Sequence, residues 1–103
     1  MNARLDMLKQ LVDEHPGEAF PRYGLAVEYA NRGDIEAALQ QFAKLLEQHP
    51  NYTAGYQMSA QTLLRAGRSE EARGVLAEGI ASARREGNSK AEGEMQAMLD
   101  EMQ

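Results

Sequence analysis

Apolar side chains recur along this chain with a helical period. Leu5, Leu8, Leu11 and Val12 stand at i, i+3, i+6 and i+7, and Leu39, Phe42, Leu45 and Leu46 repeat that spacing. Such stripes predict helices with one buried face. Each of the two stripes runs into a His-Pro step, His15-Pro16 and His49-Pro50. The residue before a proline resists the α conformation, so each step predicts a helix stop. Alanine, leucine, glutamine, glutamate and arginine dominate, and β-branched residues are scarce, which favours helix nearly everywhere. A last stripe of Ala91, Met95, Met98, Leu99 and Met102, with acids on the other face, predicts an amphipathic terminal helix. The expected class is all-α.

The two His-Pro steps are not independent. Shifting the chain by 34 residues places Leu5 on Leu39, Leu11 on Leu45, His15 on His49 and Pro16 on Pro50. It also places Ala26 on Ala60, Gly33 on Gly67 and Ala38 on Ala72. Gly33 and Gly67 fall where a helix C-terminus calls for a left-handed residue. Asp34 and Ser69 are then candidates to cap the helices that follow. The repeated unit reads as helix, tight Gly turn, helix, Pro-containing loop.

A 34-residue helical unit with small residues at its crossing points resembles the tetratricopeptide repeat family. One full unit, 19–52, carries the family's features at Leu25, Ala26, Tyr29, Gly33-Asp34, Ala38, Phe42 and Pro50, with Arg22 where the family often has Trp. The second, 53–86, carries Tyr56, Ala60, Leu63, Gly67, Ala72 and Leu76, but has Arg84 in place of the proline and Gly79 in place of a residue that is commonly alanine. Residues 1–18 read as the second helix of a truncated preceding unit and 87–103 as a capping helix. The resemblance implies a right-handed stack of antiparallel helix pairs, about six helices in all, forming one short α-solenoid domain over 1–103. Gly79 faces where the last helix should pack, so a close backbone approach is expected there.

Composition narrows the chemistry. Hydrophobic residues make up 43% of 103 residues and charged ones 26%, the balance of a folded globular chain. The net charge of −5 is concentrated at the C-terminal end, where residues 86–103 carry −4. Arg65, Arg68, Arg73, Arg84 and Arg85 cluster in the second unit but have few aromatics among them, and acids such as Glu70 and Glu71 lie at helical spacing. A solvated, internally paired face is therefore expected, not a nucleic-acid surface. No segment approaches the roughly 20 apolar residues of a membrane span, and the N-terminus has no run of signal-peptide type, so a cytoplasmic protein is expected.

No catalytic constellation emerges. There is no cysteine, which excludes thiol chemistry and thiolate metal sites. His15 and His49 precede prolines at equivalent repeat positions and are expected to sit at helix C-termini, where a cation is favoured. No His-x-x-x-His spacing suggests a metal, and no serine has a recognisable base partner. The expectation is a non-enzyme without cofactor.

What the resemblance implies about function is recognition. In the family, the first helices of successive units line a concave groove that receives a peptide or helix of a partner protein. By position, unit one offers Phe20, Tyr23, Val27, Ala30 and Asn31, and unit two offers Ala54, Gln57, Gln61, Leu64 and Arg65. Ala91, Met95 and Met98 join them if the last helix packs as a third such element. Tyr23 would be an aromatic anchor, the amides would meet peptide backbone, and Arg65 would hold a carboxylate. The lysine and asparagine with which one variant of the family grips C-terminal carboxylates are missing, since Tyr23, Val27 and Met58 stand there. The expected function is that of an adaptor, the partner another protein. The alternative is a self-associating structural protein, with Met95, Met98 and Met102 packing against a second copy.

Overall fold

The computed structural model describes residues 2–102, and they form six helices. These are α1 (Ala3–Glu14), α2 (Ala19–Asn31), α3 (Ile35–Gln48), α4 (Thr53–Arg65), α5 (Ser69–Arg85) and α6 (Ser89–Glu101). Each helix packs on the next in sequence, most extensively within the pairs α2–α3 and α4–α5, and α4 also touches α2. Short loops force consecutive helices to run antiparallel, so the chain is a stack of helical hairpins.

The helix ends follow from local chemistry. His15 and His49 are the C-terminal caps of α1 and α3, with φ/ψ of −132°/62° and −134°/74°, outside the α region as a following proline demands. Their backbone N–H groups still donate to Leu11 O and Leu45 O. The turns after α2 and α4 are left-handed at Gly33 (φ 81°) and Gly67 (φ 75°). In both, the glycine N–H reaches back to Ala30 O or Leu64 O, and the following N–H of Asp34 or Arg68 reaches Tyr29 O or Leu63 O. These paired bonds satisfy carbonyls that the helix end leaves open.

The end of α5 departs from the repeat, and the reason is Arg84. Without a proline at that position the helix continues to Arg85, 17 residues against 14 for α3, and stops only at the left-handed Gly87 (φ 68°). The N-terminal caps also differ from expectation. Asp34 occupies the cap position of α3 but its side chain bonds no N–H, and Ser69 lies inside α5, whose cap position holds Arg68. The side chains that do cap are Asn2, accepting from Leu5 N, and Asn88, accepting from Ala91 N.

The interior is built of three adjoining clusters. Leu8, Val12 and Leu25 join α1 to α2. Ala26, Ala30, Ala38, Phe42 and Leu45 fill the α2–α3 hairpin. Tyr56, Ala60, Leu76, Ile80, Ala83, Ala91 and Met95 bind α4, α5 and α6 together. The repeat-related alanines 26, 60, 38 and 72 are all fully buried, because the helices cross too closely there for a larger side chain. Gly79 is the tightest of these points. A Cβ there would lie 2.7 Å from Tyr56 Cβ and 2.5 Å from Met95 Sδ.

Long polar side chains tie the stack at its surface. Glu28 receives Arg4 Nε and Arg32 Nε, both at 2.8 Å, linking α1 to the end of α2. The hydrogen bond from Arg4, with help from Arg32, holds the Glu28 carboxyl below its ordinary range. Arg68 bridges Glu36 of α3 and Glu71 of α5, which lowers the Glu71 pKa in the same way. No helix among the described residues is long and apolar enough to cross a membrane.

Candidate functional site

The face predicted for recognition is carried by α2 and α4. Phe20 lies in the first turn of α2 and is 74% exposed. Tyr23 and Val27 follow at helical spacing, both half-buried against the α2–α3 core with Tyr52 and Met58. The Tyr23 and Tyr52 rings meet at 5.3 Å between centroids, tilted by 49°, a favourable aromatic geometry. Burial, with a contribution from Tyr52, pushes the Tyr23 hydroxyl pKa up, so this phenol is neutral at any physiological pH. Asn31 is exposed at the end of α2, and Gln61 and Arg65 are exposed on α4 with Leu64 half-buried beside them.

Three expected members behave differently. Met95 is fully buried in the α4–α5–α6 core, so it is a packing residue and not part of any open groove. The missing Cβ of Gly79 makes room for its sulfur. Met98 is half-buried and packs on the same core, as does Met102, so this methionine stripe holds α6 down. The Gln57 amide donates to Glu94 Oε1 at 3.0 Å, a bridge from α4 to α6. Ala30 and Ala91 are likewise core.

A further cleft lies elsewhere. A cleft of about 810 Å³ runs between α3 and α5 with α4 as its floor, and none of the ten predicted groove residues lines it. Leu39, Leu46, Leu63 and Val75 make its apolar surface, and Arg68 with its two glutamates closes one end. A smaller cleft of about 400 Å³ lies between α1 and α3 over α2. The two are repeat-related: Val12, Asp13, Arg22, Leu25, Tyr29, Gln41 and Lys44 line one, and residues 34 positions later line the other. The sequence signal was present in apolar stripes wider than a single contact face. Periodicity could not say that α3 and α5 would stand apart.

The histidines have structural surroundings. His15 Nδ1 lies 2.9 Å from Glu18 Oε2, and His49 Nε2 lies 3.0 Å from Gly17 O in the preceding loop. Among the described residues no three His, Asp or Glu side chains come together as a metal site. Of the arginine cluster, Arg68, Arg73 and Arg84 are paired with Glu36 and Glu71, Glu70, and Glu92 respectively. Glu70 and Glu71, the acids expected to pair with the cluster, take Arg73 and Arg68, while Arg65 and Arg85 have no carboxylate partner among the described residues.

A stack of antiparallel helical hairpins with a 34-residue sequence period defines a helical-repeat fold. The sequence pattern of the tetratricopeptide repeat matches residues 29–91. The chain belongs to the tetratricopeptide repeat family, whose domains generally mediate protein–protein interaction and are generally non-catalytic. It is 30% identical to a TPR repeat-containing protein of Pseudomonas aeruginosa, over 92% of this chain and 90% of that one. The solution structure of a tetratricopeptide repeat domain protein from Salinibacter ruber superimposes with a TM-score of 0.77 at 32% identity, covering 84% of this chain and 87% of that one. A Bordetella parapertussis protein solved in solution reaches a TM-score of 0.81 at 25% identity, covering 98% and 88%.

Proposed function

We propose that this protein is a non-catalytic adaptor that receives a peptide or helical segment of a partner protein on the face of α2 and α4. The observation that carries this reading is Phe20. A phenylalanine three-quarters exposed, beside the half-buried Tyr23–Tyr52 pair, offers an aromatic anchor whose burial would favour association. Asn31, Gln61 and Arg65 supply exposed polar groups around Tyr23, Val27 and Leu64. The Arg65 guanidinium makes no ion pair among the described residues and is available to a partner carboxylate.

A second reading places the segment in the α3–α5 cleft, favoured by its volume and apolar floor. Capture from the organism's own lysate separates the two. Phe20→Glu and Ala43→Glu both alter exposed positions, the first on the α2–α4 face and the second in the cleft, so neither disturbs the core. A partner lost with Phe20→Glu and kept with Ala43→Glu supports the first reading, and the reverse pattern selects the cleft. Capture of the chain's own copies alone, with a size in sedimentation that grows with concentration, selects self-association and defeats both.

A further inference from the structure

Among the described residues Arg22 is the one buried arginine, at 7% exposure. Its Nη1 donates to Gln41 Oε1 at 2.8 Å and its Nη2 to Pro16 O at 3.2 Å. Its Nε has no partner, and no carboxylate pairs with it among the described residues. A guanidinium does not lose its proton in a protein, so this is a permanent buried charge without a counterion.

The repeat-related position carries no charge. The equivalent residue of the second unit is Tyr56, whose hydroxyl donates to Pro50 O at 2.8 Å, the counterpart of Pro16 O. A neutral phenol therefore makes the equivalent carbonyl contact. The other cations around Arg22 are also peculiar to this unit. Lys9 from α1 and Lys44 from α3 line the 400 Å³ cleft with it, and their counterparts are Ala43 and Glu78. Against these three cations stands one acid, Asp13, leaving the cleft at net +2 within a chain of net −5. Val12 and Leu25 beneath them are buried, and Tyr29 is half-buried beside them.

We infer that the α1–α2–α3 cleft binds the phosphate group of a small molecule. A phosphate near neutral pH carries close to two negative charges, which matches the excess of the cleft. Arginine and lysine together offer planar and point-charge donors to its oxygens. The volume exceeds that of a bare ion and leaves room for a short carbon body. Nothing in this inference depends on which face receives a partner protein.

The test is a nitrogen–proton NMR titration of the intact protein with inorganic phosphate, with glycerol phosphate, and with sodium chloride at matched ionic strength. Saturable shifts centred on Lys9, Arg22, Gln41 and Lys44, the Arg22 Nε–H signal included, are expected with phosphate and absent with chloride. Because Arg22 is part of the core, the perturbation is Lys9→Gln with Lys44→Gln, both at exposed positions. This pair should weaken binding at least tenfold while leaving the melting temperature of the free protein unchanged. Tighter binding of the ester assigns the site to an organic phosphate, and equal binding assigns it to the inorganic ion. Shifts that never saturate, that chloride reproduces, or that the double substitution leaves unchanged overturn the proposal.

Discussion

Replacing Gly79 by alanine tests the packing of α6 more directly than any deletion. In an exposed helix this substitution is stabilising by roughly 0.5–1 kcal/mol, since glycine has the larger backbone entropy to lose. At position 79 the added methyl would meet Met95 Sδ and Tyr56 Cβ, at 2.5 and 2.7 Å. The sulfur ends a flexible chain and can move. Tyr56 Cβ is fixed to the backbone of α4, so relief requires α4 and α5 to part. Overpacking of this kind costs about 1–3 kcal/mol. The net expectation is a loss of about 1–2 kcal/mol, seen as a Tm lower by roughly 4–10 °C for a chain of this size.

The internal controls are Gly74→Ala in α5 and Gly93→Ala in α6, where a Cβ would meet nothing within 4 Å. Each should raise stability by about 0.5–1 kcal/mol. Urea unfolding of the three variants against the parent, with m checked for constancy, reads the sign of each effect. If Gly79→Ala is as stabilising as the two controls, α4 and α5 do not approach at this point and the account of the C-terminal core is wrong.

Pro50 O accepts from both Tyr56 Oη (2.8 Å) and Ser82 Oγ (3.0 Å), so Tyr56→Phe or Ser82→Ala alone should cost about 0.5–1.5 kcal/mol. The double variant leaves the carbonyl without either donor and should cost more than the sum, and strict additivity in a double-mutant cycle would refute the shared acceptor. Glu28 and Glu71 have folded pKa values below their unfolded ones, so the stability they contribute is present above the ordinary glutamate range. It is lost as pH falls through their folded values, and Glu28→Gln with Glu71→Gln should flatten acid unfolding curves. An unchanged pH profile in that variant would show that the two arginine clamps contribute nothing.

The fold was legible because its punctuation is local. His15-Pro16, His49-Pro50, Gly33 and Gly67 each end a helix through their own backbone restrictions, and no distant contact can override them. The role of Arg22 was not legible, because its burial depends on Pro16 O and Gln41, which approach it only once α1 and α3 flank α2. Met95 shows the same limit from the other side. Its place on an apolar stripe was visible, but a stripe does not reveal whether the neighbour it meets is a ligand or α5. Of the expected caps, Ser69 missed the cap position by one residue and Asp34 holds it without a capping bond, because hydrogen-bond geometry decides at helix starts and residue type only suggests.

The overrun of α5 past the missing proline has a consequence for editing the chain. The first helices of the two units begin at Ala19 and Thr53, one period apart, but α6 begins only at Ser89. A duplicated copy of 19–52 inserted after residue 52 would meet both neighbours in phase and lengthen the stack by one hairpin, with new nearest-neighbour contacts like the old. The same cassette inserted after residue 86 would follow a helix that runs three residues past its repeat equivalent, and so would not meet α5 in phase. The molecule can be extended like a ladder on one side of that helix and is sealed on the other.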